Sequence, residues 1–131
     1  QAQQLVDQAV DQYLTDKRER TAADAIVTLR SHTMAVLEEE MERVRDRHGC
    51  TAAAEEVQLA MRRMIRQILH EPTVRARQAA ANGTLEDYEA ALETVFGLDV
   101  AEATHARQDN NRATTSASAQ YDANTVQQRT A

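Results

Sequence analysis

Four residues punctuate this chain: Gly49, Pro72, Gly83 and Gly97. They are its only glycines and its only proline. Glycine ends helices because it adopts left-handed backbone without penalty, and proline because it lacks an amide hydrogen and clashes with the preceding turn. Elsewhere the chain is free to run as helix. Ala, Glu, Gln, Arg and Leu, all good helix formers, dominate the intervals. With no Trp, one Phe and three Tyr, the chain lacks the aromatic and turn residues that a β-sandwich or barrel requires. The fold class is therefore all-α, and 131 residues suffice for one domain and not two.

Apolar periodicity fills in the helices. Leu5, Val6, Ala9, Val10, Tyr13 and Leu14 lie on one stripe of a first segment, 1–20. No N-cap precedes that stripe, as expected of a helix cut at its upstream end. Thr21, with Asp24 three residues on, reads as the N-cap of a second, long helix over 22–47. Ile26, Leu29, Thr33, Leu37, Met41 and Val44 form its stripe, and Gly49 closes it. Such a helix spans about 40 Å, and its single apolar stripe favours a bundle or a partner chain. Thr51 caps a third helix whose inner face reads as Val57, Ala60, Met61, Met64, Ile65, Ile68 and Leu69, ending before Pro72. A short helix then runs to Asn82-Gly83. The last begins at Thr84, carries Leu85, Tyr88, Ala91, Leu92, Val95 and Phe96, and ends at Gly97, with Leu98 placed to pack behind the turn. Residues 99–131 are rich in Ala, Thr, Ser, Asn and Gln, and read as a polar, largely disordered tail with helix continuing over 100–108.

The net charge of −6 carries no basic block, which argues against a DNA-binding module. No signal peptide or long apolar run is visible, so a cytoplasmic protein that does not enter a membrane is expected. The lone Cys50 cannot form an internal disulfide, and His48 two residues away has nothing to orient it as a base, so Cys50 reads as an incidental loop cysteine. His32, His48, His70 and His105 show no metal-ligand spacing. Arg30 and Glu40, at the margins of the long helix's stripe, read as charges paired across a helix interface. Arg62, Arg66 and His70 are spaced four apart with Arg63 beside them. They form a cationic face that reads first as a solvated surface and second as a contact for a phosphate backbone.

Ile65-Arg66-Gln67-Ile68-Leu69-His70-Glu71-Pro72-Thr73 resembles the K-L-L-H-A-P-T segment in the C-terminal dimerisation domain of the glutamyl-tRNA reductase family. Ile26-Val27-Thr28-Leu29-Arg30, Glu39-Glu40-Met41-Glu42-Arg43, Ala79-Ala80-Ala81-Asn82-Gly83 and Val95-Phe96-Gly97-Leu98-Asp99 are similar to further motifs of that domain, in the same order. Ile65-Arg66 stands where many members have Thr-Asn, Glu71 replaces an Ala, and the tail extends past the family pattern. The resemblance implies that 1–20 ends a spinal helix, that 21–98 is the dimerisation domain, and that the parent enzyme uses NADPH to reduce glutamyl-tRNA to glutamate-1-semialdehyde for tetrapyrrole synthesis. The catalytic thiol and the NADPH site would lie in other domains, so neither catalytic nor cofactor-binding residues are expected here, nor a metal site.

The reading is an all-α bundle with one long helix, pairing two-fold into a homodimer. Ile26, Leu29, Leu37, Met41, Val44, Met61, Met64 and Ile68 are its expected core and interface, and Arg62 and Arg66 the candidates for tRNA contact. Two alternatives are a small helical enzyme of chorismate-mutase type, using Arg30 and Arg62 around a dianion, and a stand-alone helical interaction module. A pure coiled coil is disfavoured by the bend at Pro72 and the short helices after it.

Overall fold

The computed structural model describes residues 1–129, with side chains for 1–115. It holds five helices: α1 Ala2–His48, α2 Ala52–Ile68, α3 His70–Asn82, α4 Leu85–Phe96 and α5 Val100–Arg129. Among the described residues there is no strand.

The first departure from expectation is at Thr21. No helix starts there. α1 passes through it unbroken for 47 residues, about 70 Å at the α-helical rise. Instead of capping, the Thr21 hydroxyl donates to the Lys17 carbonyl at 2.8 Å. Nothing between residues 2 and 48 removes an amide or favours left-handed backbone, so a good cap residue inside a strong helical sequence stays helical. Gly49 ends the rod, donating its N–H to the Arg45 carbonyl at 2.7 Å.

The remaining breaks fall where the sequence places them. Thr51 caps α2, its hydroxyl accepting from the Ala54 N–H at 3.2 Å. α2 stops at Ile68, the carbonyl that the missing amide of Pro72 would have engaged. Leu69 carries the bend, and α3 starts immediately with Pro72 in its first turn. Gly97 adopts φ 67°, while the Leu98 N–H reaches back to the Leu92 carbonyl at 3.4 Å. Leu98 thereby turns inward and packs on the core.

α1 is the spine of the packing. α2 folds back along its C-terminal half as an antiparallel hairpin, and α3, α4 and the start of α5 pack against its middle. The main core gathers Ala25, Leu29, Leu37 and Met41 of α1 with Ile65, Leu69, Leu92 and Val100. Ala22, Ala80 and Leu85 form a smaller cluster, and Tyr88 packs against both. Its hydroxyl donates to the Pro72 carbonyl at 3.0 Å, tying α4 to the first turn of α3. Burial raises the Tyr88 phenol above its usual range.

Helix continues after Leu98 over 100–108, as expected there, and runs on to Arg129 through the segment read as a polar tail. Asp99 caps it, accepting from the Glu102 N–H at 2.9 Å, and α5 follows. Val100 is buried in the core. Arg107 donates to the Thr28 hydroxyl at 3.0 Å and lies 3.7 Å from the Asp24 carboxylate. Beyond 108 the segment has few apolar residues, but it also has no Gly or Pro to end a helix that the Asp99 cap starts and Arg107 anchors. The part of the tail at 130–131 lies outside the described residues.

Candidate association surface

Only a narrow strip of α2 is used for packing within the chain. Ala54 and Ile65 are buried against α1, with Leu69 just past the helix end. At 100° per residue these three share one line. Val57, Met61, Met64 and Ile68 form a second line to one side, and all four are exposed, Ile68 at 60%. The expected single inner face therefore splits in two. The physical reason is width: α2 has an apolar arc broader than one neighbouring helix can cover.

The eight expected core and interface residues divide accordingly. Leu29, Leu37 and Met41 are buried, and Ile26 and Val44 half-buried, all on α1. Met61, Met64 and Ile68 face solvent. α1 contributes a second uncovered region. Leu5, Val6, Val10, Tyr13 and Leu14 are all exposed, so the stripe read from 1–20 exists but has no covering partner among the described residues. Further along, a groove of about 720 Å³ between α1 and α3 has an apolar floor that includes Ile26, Val27, Ala80 and Ala81, flanked by Arg18 and Arg77.

The other flank of α2 is cationic. Arg62 does not point freely outward as expected. It reaches across the hairpin to the Glu38 carboxylate of α1 at 2.8 Å, and Gln58 donates to the same oxygen at 3.4 Å. Glu38 and Arg62 each lie twelve residues from Cys50, so an antiparallel hairpin turning there sets them opposite one another. That symmetry about the turn was the available signal. Arg66 remains without a carboxylate partner, as do Arg63 and Arg30, among the described residues. Arg30, Arg62, Arg63 and Arg66 line a groove of about 500 Å³ between α1 and α2, floored by Met34, Leu59, Ile65 and Leu69. A shallower continuation runs along Arg63, Arg66, Gln67 and His70. Arg30 and Glu40 do not make the expected pairing, since Glu40 bonds Arg43 one turn along the same helix.

The remaining chemistry is sparse. Cys50 is a free, exposed thiol in the loop after α1. His32 packs edgewise on Phe96 with ring centroids 6.3 Å apart. Among the described residues no group of three His, Cys, Asp or Glu could hold a metal ion, and no helix is long and apolar enough to cross a membrane. Glu89 has its carboxyl raised above the usual range by burial first, and then by Glu86, Asp24 and Asp99.

Comparison with known proteins bears on these surfaces. The family model described as "Glutamyl-tRNAGlu reductase, dimerisation domain" matches residues 1–98. The glutamyl-tRNA reductase of Micrococcus luteus is 59% identical over 99 residues, covering 76% of this chain and 22% of that protein. The one from Paenarthrobacter aurescens is 56% identical over 100 residues, covering 76% and 23%. The one from Renibacterium salmoninarum is 52% identical over 108 residues, covering 82% and 24%. The chain thus spans less than a quarter of the length of these relatives. No solved structure matches it.

Proposed function

The chain belongs to the glutamyl-tRNA reductase dimerisation-domain family, and from that premise we propose that it joins two copies of its parent enzyme through the apolar flank of α2. The observation that carries this is the line of Val57, Met61, Met64 and Ile68, all exposed on a helix whose opposite margin is charged. Pairing two such flanks removes four large apolar side chains per copy from water, at roughly 25 cal/mol for each Å² covered. A two-fold axis between them makes the contact self-complementary.

The parent enzyme is read as a cytoplasmic oxidoreductase that uses NADPH to reduce glutamyl-tRNA to glutamate-1-semialdehyde, at the entry to tetrapyrrole synthesis. This reading is supported by the names of the relatives and by the motifs shared over residues 26–99. The chain's own part is to hold subunits, not to catalyse. A dinucleotide site needs a glycine-rich turn between a strand and a helix. All three glycines here close helices instead, at Gly49, Gly83 and Gly97, so the residues present do not fit the cofactor. The chorismate-mutase-like alternative loses ground because Arg62, one of the two cations it requires, is engaged by Glu38.

Sedimentation equilibrium tests the pairing. The expected result is a mass twice the 14.6 kDa of the single chain. Met64→Glu combined with Ile68→Glu should give a helical monomer, because both side chains already face solvent in the single chain. A folded, unmodified chain that stays monomeric at micromolar concentration would refute the proposal.

A further inference from the structure

We infer that the arginine groove between α1 and α2 is a binding site for an RNA phosphate backbone, a contact that this domain itself makes with tRNA. The inference rests on the reading that the parent enzyme acts on tRNA. The groove supplies the rest. Arg30, Arg63 and Arg66 meet there without a carboxylate partner among the described residues, in a chain whose acids outnumber its Lys and Arg by 21 to 15. With acids in excess over the chain as a whole, it is the gathering of these arginines on one groove that makes a local cationic patch. Guanidinium groups present planar forks that match phosphate oxygens in pairs. Arg66 near the end of α2 and His70 at the start of α3 line the same shallow continuation, so the cationic line runs out of the groove rather than ending as a single spot.

Two features shape the site. The Glu38 carboxylate engages Arg62 on one wall of the groove, which leaves Arg63 and Arg66 as cations without a carboxylate among the described residues. The floor of Met34, Leu59, Ile65 and Leu69 is apolar, so it offers a surface against which a ribose or base face can lie while the rim holds phosphates. Arg62 and Arg66, the expected contacts, both line this groove; Arg62 is paired with Glu38, and Arg30 and Arg63 join Arg66 there. The net charge of −6 repels RNA from the rest of the surface, so binding should depend on this groove rather than be shared among scattered cations.

The test is fluorescence anisotropy of an in-vitro-transcribed, uncharged glutamate tRNA titrated with the 131-residue chain at several salt concentrations, with the mass of each sample measured in parallel. The expected result is saturable binding that Arg63→Ala with Arg66→Ala weakens at least tenfold, with the slope of log affinity against log salt reduced by roughly 1.5 for two lost phosphate contacts. Arg63→Lys with Arg66→Lys should keep the salt slope while losing part of the affinity, because lysine keeps the charge but not the paired fork, which separates charge from a structural effect. Arg18→Ala with Arg77→Ala, in the α1–α3 groove, should change little. The inference is overturned by a dimer that does not bind the tRNA, by equal losses in the two alanine pairs, or by a poly-glutamate peptide that binds more tightly than the tRNA. Failure of the dimer reading is distinct: it would appear in the mass alone.

Discussion

The two halves of α1 carry the same kind of apolar stripe and meet opposite fates. Leu5, Val6, Val10, Tyr13 and Leu14 in the first half all stand in solvent, whereas Ala25, Leu29, Leu37 and Met41 in the second are buried. Both stripes recur every three or four residues, on one unbroken helix. Periodicity therefore reports that a face is prepared for burial, but not what covers it. In the second half the cover is local, because Gly49, the bend before Pro72, Gly83 and Gly97 fold the chain back onto residues 22–44. The first half lies beyond the reach of those returning helices. Its stripe, like the apolar flank of α2, is left uncovered by the described residues.

This contrast can be attacked at several points. The largest effect is expected in the covered half. Leu37→Ala should destabilise the fold by about 2–5 kcal/mol, since the side chain is buried in the main core. Denaturant melts would measure it, and a loss under 1 kcal/mol would mean that the buried half is no better packed than the exposed one. Next comes Tyr88→Phe, which removes the bond to the Pro72 carbonyl and should cost about 0.5–1.5 kcal/mol in the same assay. A smaller loss, about 0.2–1 kcal/mol and diminished by salt, is expected of Glu38→Gln, because the ion pair with Arg62 is roughly half exposed.

Glu89→Gln should act in the other direction. The Glu89 carboxyl is raised in the folded protein, so the folded state binds its proton more tightly than the unfolded chain does. Its deprotonation therefore lowers stability as pH rises through the interval between the ordinary and the raised value. The Gln variant should melt slightly higher than the parent at neutral pH, with the advantage disappearing below the ordinary glutamate range. An advantage that persisted in acid would point to a cause other than charge. The smallest effect belongs to the uncovered half. Leu5→Ala should change monomer stability by less than about 0.5 kcal/mol. If it matched Leu37→Ala, the two halves of α1 would not differ as described.

Much of the backbone was legible before any coordinates. Thr51, Gly83 and Gly97 act at helix ends because their chemistry is local, and Leu29, Leu37 and Met41 are buried where their stripe put them. The illegible parts depended on partners. Thr21 has a cap's side chain, but the helical sequence on both sides outweighs it. Arg107 lies in the stretch where helix is expected, but that it holds α5 to α1 through Thr28 and Asp24 was not legible from local sequence. The α2 residues Met61, Met64 and Ile68 were correctly grouped as apolar, but grouped with Ile65 on one face.

What the sequence determined by itself is where helices can end and which arcs of each helix are apolar, because both follow from interactions within a few residues. What only the tertiary structure decided is how each arc is divided. A helix contacts one neighbour along a strip, so an arc wider than that strip must leave a remainder. Which line of α2 meets α1, and which arginine Glu38 takes, depends on how residues far apart in sequence come to face each other across the hairpin.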